Sequence, residues 1–367
     1  MKHKTNNLLV AASGTGGHIF PALTSIENLY KNWKISWLGI KDRCEIKLVP
    51  KKYNLYLLNI DSPRGKNLLL FIKYLQVLFT TFKVLKIIYR EKIKLVFTTG
   101  GYISAPSIIA AKLLNIPVII HESNLVPGLV TKYFGRYCNS VLLGFKETNS
   151  FLKGCNSIYT GTPLRNQFYL SHKIPSWVPL GNGPLIIIMG GSQGAKAIND
   201  SVYNLIDFFV GKDFRFVHII GYGKDKKFKN KKIKNYIPIE FTNEIASLMQ
   251  NCDLVISRAG SGSINEIIQT KTPSILIPYP NSKNNHQERN ALFLVANGSS
   301  MMIKEDENLD IKLKKSLIRI FNKKSEFNNK KNKYEILELM KQNLSNLDLK
   351  DPRIEIRKII NSYWKEF

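Results

Sequence analysis

The chain has 367 residues, 44% of them apolar, and a formal net charge of +27. That length exceeds what one hydrophobic core usually fills, so two domains are expected, and the apolar content excludes wholesale disorder. The charge attracts nucleic acid, anionic lipid or a phosphorylated substrate, although much of it lies in Lys/Asn-rich stretches, residues 224–234 and 323–333, that read as solvated surface.

Along the chain, the first apolar run covers residues 8–12, too short for the core of a signal peptide, and no later run of about 18 apolar residues reads as a transmembrane helix. Cys44, Cys138, Cys155 and Cys252 show neither CxxC spacing nor a Cys/His cluster. A disulfide framework and a zinc site are therefore not expected, and a reducing, cytoplasmic compartment is.

Residues 8–12, 95–98, 118–120, Leu185–Met189, Leu254–Ser257 and 274–277 form short apolar blocks, several followed by glycine and then by a helical pattern. Blocks apolar on both faces and separated by helices predict parallel strands in an α/β sheet. The pattern occurs twice, broken by Gly161-Thr162-Pro163 and a Pro/Gly-rich stretch at 175–184, which puts the domain boundary near residue 163. Within the first set, residues 68–88 carry more apolar surface than one core face needs. Their polar residues Lys73, Gln76, Thr80 and Lys83 recur at spacings of three and four. Such a helix packs under a sheet or, with flanking lysines, meets a membrane interface through Leu75, Phe79 and Phe82.

Four small-residue loops follow predicted strands. Ser13-Gly14-Thr15-Gly16-Gly17-His18 precedes a helix predicted to begin near Pro21; it lacks both the dinucleotide spacing and the Gly-Lys-Ser/Thr of a Walker loop. Gly100-Gly101-Tyr102, Gly190-Gly191-Ser192-Gln193-Gly194-Ala195 and Arg258-Ala259-Gly260-Ser261-Gly262-Ser263 with Glu266 repeat the same design. Glycine lets backbone approach a ligand, and helix-start amides favour an anion, so the set points to a site holding more than one phosphate. His18 adds an imidazole, able to accept a proton, beside the first loop.

These loops, with His121-Glu122-Ser123-Asn124 and His286-Gln287 followed by Asn290-Ala291, occur in an order that resembles the MurG-type family. Its members transfer N-acetylglucosamine from UDP onto undecaprenyl-diphosphoryl-N-acetylmuramoyl-pentapeptide in peptidoglycan synthesis. The resemblance covers nearly the whole chain. It implies a GT-B fold of the α/β class, two Rossmann-like doubly wound domains facing a cleft. Residues 1–163 would bind acceptor and membrane and residues 164–350 the UDP-sugar, with a C-terminal helix in 351–367 packing back on the first domain. By the same resemblance Ser192 meets the donor phosphates, Ser261, Gly262 and Ser263 meet diphosphate and sugar, Glu266 holds the ribose and Gln287 reads the sugar hydroxyls. Thr15, Gly16, Gly17, Asn124 and Arg165 complete the donor site. Ser123, Thr162 and Ser13 stand where the family more often has glutamine, asparagine and glycine.

The implied chemistry is attack of the acceptor 4-hydroxyl on the anomeric carbon with inversion, His18 or Glu122 taking the proton. Helix-start amides stabilise the departing UDP. No Asp-x-Asp pair stands in a loop after a strand, so neither metal nor cofactor is expected. Expected partners are UDP-N-acetylglucosamine, the lipid-linked muramoyl peptide and an anionic membrane surface at the cytoplasmic face of the plasma membrane. Nucleic acid is not expected, because no recognition signature accompanies the charge. Rival functions are a UDP-sugar transferase acting on diacylglycerol and a UDP-sugar 2-epimerase.

Overall fold

A computed structural model of the chain describes residues 5–14, 16–29, 33–43, 45–60, 68–191, 194–223, 228, 233–322, 334–347 and 350–364, with backbone alone at 68–74. Two compact units result, residues 1–165 with 350–367, and residues 166–349.

The first unit contains β1 (Asn6–Ala11), β2 (Trp33–Ile40), β3 (Asn54–Leu58), β4 (Ile93–Thr98), β5 (Val118–Glu122), β6 (Ser140–Leu143) and β7 (Ser157–Tyr159), all parallel in the order β3-β2-β1-β4-β5-β6-β7. Successive side chains of a strand point to opposite faces. Accordingly Leu8 and Val10 pack with Trp37 and Phe97, while Leu9 and Ala11 pack with Leu38 and Val96 in a separate core layer. A sheet buried on both faces needs such unbroken apolar runs.

The second unit contains β8 (Leu185–Met189), β9 (Arg215–Ile219), β10 (Tyr236–Ile239), β11 (Leu254–Ser257), β12 (Ser274–Leu276) and β13 (Ser300–Met302), parallel in the order β10-β9-β8-β11-β12-β13. Ile186 and Ile188 meet the inner stripe of the Lys196–Val210 helix, Ile198, Val202, Ile206 and Phe209. In both units the strand order reverses beside the first strand. A doubly wound sheet leaves its binding crevice at that reversal, beyond the carboxyl ends of the strands. The reversals lie between β1 and β4 and between β8 and β11, and the four glycine-bearing loops follow these four strands.

The last helix, Pro352–Ser362, belongs to the first unit. Asp351 caps it by accepting from the Arg353 amide, and proline at its start forfeits only an amide that a first turn leaves unbonded. Ile356 and Ile360 complete the layer around Trp33 and Trp37, and the Trp33 indole donates to Asn361 Oδ1 at 3.1 Å.

Two expectations need correction. The first helix spans Gly16–Ile26, so Pro21 lies inside it rather than at its start, and His18 belongs to its first turn. On the helix Leu68–Arg90 the expected polar stripe is interrupted, for Lys83 is exposed and Gln76 half-buried but Thr80 between them is not. Thr80 is buried with its hydroxyl bonded to Gln76 O, while Gln76 donates to Asn59 O. Exposed as well are Leu78, Phe79 (65%), Phe82 (61%) and Tyr89, with Leu75 at their edge. Among the described residues no helix is long and apolar enough to cross a membrane.

Candidate active site

In the first unit the loops after β1 and β4 are tied together through His18. Its Nδ1 lies 2.6 Å from Thr99 O, and the Thr99 hydroxyl donates back to His18 O at 2.9 Å. A carbonyl only accepts, so Nδ1 carries the hydrogen and the neutral ring keeps its lone pair on Nε2. Gly100 and Gly101 turn beneath it with φ of +85° and +81°, a conformation that favours glycine, and a Cβ on Gly100 would come within 3.7 Å of the His18 ring. Gly16 and Gly17 open the helix. The Phe20 ring lies so close to Gly16 that a Cβ there would stand 2.8 Å from it, and Arg165 places its guanidinium 5.0 Å from that ring's centroid. Arg165 is thereby brought to the first glycine loop.

Glu122, at the end of β5, is buried and saturated. Oε1 accepts from the backbone and side-chain nitrogens of Asn124 at 3.0 and 3.1 Å, and Oε2 accepts from Gly128 N at 2.9 Å and the Thr131 hydroxyl at 2.7 Å. A carboxylate offers about four lone-pair positions, so all are taken. Its neighbour His121 is fully buried; Nε2 donates to Gly161 O and Nδ1 accepts from Ser123, while desolvation pulls its pKa below the ordinary imidazole value. Ser123 thus finds its partner within the strand. Thr162 does not: its buried hydroxyl has no partner and fits only because residue 144 is glycine.

In the second unit the helix Ser261–Thr270 starts directly after β11. Gly260 caps it in an extended conformation without any side-chain acceptor, which leaves the amides of Ser261, Gly262 and Ser263 for a ligand. A Cβ on Gly260, Gly262 or Gly191 would meet nothing within 4 Å, whereas Gly190 is packed against Ala195 N. Packing explains Gly190 and a φ of +79° explains Gly191, while open space lies beside Gly260 and Gly262 at the helix start. Glu266 lies one turn further on, partly exposed. Gln287, in the first turn of the helix His286–Ala296, accepts from Tyr279 N through Oε1 at 2.9 Å, and Asn290 of that helix donates to Ala259 O at 3.2 Å. Thr15 and Ser192 lie outside the described residues.

Residues 8–143 match the glycosyltransferase family 28 N-terminal domain and residues 185–344 the family 28 C-terminal domain. The chain belongs to glycosyltransferase family 28. Family relatives match over their full length. A protein of Prochlorococcus marinus strain MIT 9312 is 57% identical over 364 residues, 99% of both chains, and one from strain MIT 9301 is 59% identical over the same span. Both are named UDP-N-acetylglucosamine–N-acetylmuramyl-(pentapeptide) pyrophosphoryl-undecaprenol N-acetylglucosamine transferase. The fold is that of the GT-B family-28 enzymes, two Rossmann-like domains. A crystal structure of Acinetobacter baumannii MurG superposes with a TM-score of 0.73 over 98% of this chain and all of that one, at 22% identity. A crystal structure of a UDP-N-acetylglucosamine 2-epimerase shares the fold too, at 12% identity and a TM-score of 0.63 over 98% of this chain and 95% of that one. At such identities the likeness concerns the fold alone.

Two features of this family-28 site escaped the sequence reading. Arg258 is buried; it donates to the carbonyls of Ile277 and Pro278, pairs with Glu305 and lies 5.5 Å from the Tyr279 ring, stitching the loop after β11 to the loop after β12. Tyr222 and Phe241 are exposed and stacked, 5.6 Å apart and 15° from parallel, beyond the carboxyl ends of β9 and β10. A partner 19 residues along the chain and a stacked pair 19 residues apart carry no local spacing signal.

Proposed function

We propose that this family-28 chain moves N-acetylglucosamine from its UDP donor to the 4-hydroxyl of the muramoyl sugar of undecaprenyl-diphosphoryl-N-acetylmuramoyl-pentapeptide, with inversion, in peptidoglycan synthesis. What supports the reading most is the identity of 57% over 99% of both chains with a transferase of that name. The second unit binds the donor: amides of Ser261, Gly262 and Ser263 with the Ser192 loop take the diphosphate, Glu266 the ribose and Gln287 the sugar hydroxyls. A diphosphate leaving group gathers negative charge as the glycosidic bond breaks, and amides already oriented at an uncapped helix start stabilise it without reorganising. Tyr222 and Phe241 offer a stacking platform for the base.

The first unit binds the acceptor diphosphate on its glycine loops, with Thr15, Gly16, Gly17, Asn124 and Arg165 reaching the donor. His18 is the base, because its Nδ1 hydrogen is committed to Thr99 O and its Nε2 lone pair is left to take the 4-hydroxyl proton. Glu122, with every lone pair engaged, shapes the segment from Asn124 to Thr131 instead. The exposed row Leu75, Leu78, Phe79, Phe82 and Tyr89, beside Lys83 and Lys86 and backed by the charge of +27, suits the anionic cytoplasmic face of a plasma membrane. A coupled assay of UDP release tests the function. Release that requires the lipid-linked muramoyl peptide is expected, and release indifferent to it, or conversion of the donor to its 2-epimer, contradicts it.

A further inference from the structure

We infer that Glu45 is a positioning residue of the acceptor site, its carboxylate fixing the Gly14 turn from behind so that Gly16, Gly17 and His18 face the acceptor. This rests on the proposed role of that loop in holding the acceptor diphosphate. Glu45 begins the short helix Glu45–Leu48 after β2 and is fully buried, at 0% exposure. Oε1 accepts from Gly14 N and from Ile40 N, both at 3.2 Å, whereas Oε2 is buried without a partner. Glu122 in the same unit fills every lone pair with four bonds; Glu45 makes two long ones. A residue present only for packing has little reason to bury a half-satisfied carboxylate, and a leucine or glutamine would cost less there.

The surroundings are arranged for it. Gly39 of β2 lacks a side chain where Glu45 lies, since a Cβ there would stand 2.9 Å from the Glu45 Cγ. On the other side Gly14 turns with φ of +105°, and a Cβ on it would touch nothing within 4 Å, so packing does not shape the turn. The Glu45 bond does. The adjoining Ala12 O is held by the Trp37 indole at 3.0 Å, and the buried Ser13 hydroxyl has no partner, a second unsatisfied polar atom on the same loop. By engaging the Gly14 amide, Glu45 sets the path of the backbone between β1 and the helix carrying His18.

The test is steady-state kinetics of the full chain with acceptor and donor varied separately, for Glu45→Ala, Glu45→Asp and Glu45→Gln, beside calorimetry with UDP alone. Misplacing a substrate-holding loop by a fraction of an ångström costs roughly tenfold to a hundredfold. The alanine and aspartate variants are expected to raise the acceptor KM and lower kcat by that amount, with affinity for UDP alone within about twofold of wild type. Donor KM should rise less, because Ser261, Gly262, Ser263, Glu266 and Gln287 supply most of the donor contacts and Gly16 and Gly17 of this loop only add to them. Glutamine, whose amide oxygen still accepts from Gly14, should restore acceptor KM. Should alanine fail to fold, aspartate decides alone, since it keeps the charge but falls short of Gly14. Unchanged acceptor kinetics in a folded alanine or aspartate variant, a donor KM shifting equally, or a glutamine variant as impaired as alanine would overturn the proposal. An inactive wild type would instead remove the proposed function on which it rests.

Discussion

His18 and Glu122 entered the sequence reading as first and second candidates for the base, and their hydrogen bonds differ in kind. His18 gives one ring nitrogen to Thr99 O and keeps the other, so His18→Ala is expected to lower kcat by about 10²–10⁴-fold with little change in donor KM or thermal stability. Glu122→Gln sets an amide NH2 against groups that are themselves donors, so its melting temperature should fall along with activity. Thermal melts and kinetics on the two variants check this, and the opposite pattern would exchange their roles. At this scale the sequence displayed the glycines and the histidine, because a bound anion demands amides at fixed places on the chain. It could not display saturation, because Gly128 and Thr131 reach Glu122 through a turn that residue types do not encode.

Strands with unbroken apolar runs, such as Leu185–Met189 and Leu254–Ser257, were legible at the element scale because burial on both faces leaves no room for polar residues. Trp33–Ile40 and Arg215–Ile219, interrupted by Lys34 and Ser36 or by Arg215 and His218, were not. His218 shows how such a residue is accommodated. It is buried between the Tyr236 hydroxyl and Asn199 Oδ1, and burial pulls its pKa down to about 3. The unfolded imidazole takes a proton near pH 6.5, so the folded state keeps its full stability above that pH and loses it as pH falls toward 3, by up to about 5 kcal/mol. Denaturant midpoints of wild type should therefore drop between pH 6.5 and 4 more steeply than those of His218→Gln; equal slopes would mean that the ring charges without penalty. The helix Leu68–Arg90 carries a second test at this scale. Leu75 and Phe79 are exposed, so Leu75→Ser/Phe79→Ser should shift stability by no more than about 1 kcal/mol. The double variant should nonetheless lose the salt-resistant part of vesicle binding in co-sedimentation, since ionic strength weakens only the lysine contribution. Binding to neutral vesicles equal to that of wild type would exclude this helix as the anchor.

For the molecule as a whole, two parallel sheets each reverse order beside their first strand, and each places its glycine-bearing loops at that reversal. The repetition was readable from spacing because strand, glycine loop and helix recur in both halves. The substrates were not readable from spacing: a 2-epimerase with the same fold meets the same diphosphate requirement, and identity over the full chain is what separates the two. Extraction of the lipid phase after incubation with radiolabelled UDP-N-acetylglucosamine in excess EDTA is the most direct measurement. Label is expected in the lipid phase when undecaprenyl-diphosphoryl-N-acetylmuramoyl-pentapeptide is the acceptor and not when diacylglycerol is. Label on diacylglycerol, or none on the muramoyl lipid unless Mg²⁺ or Mn²⁺ is restored, would contradict the proposed reaction.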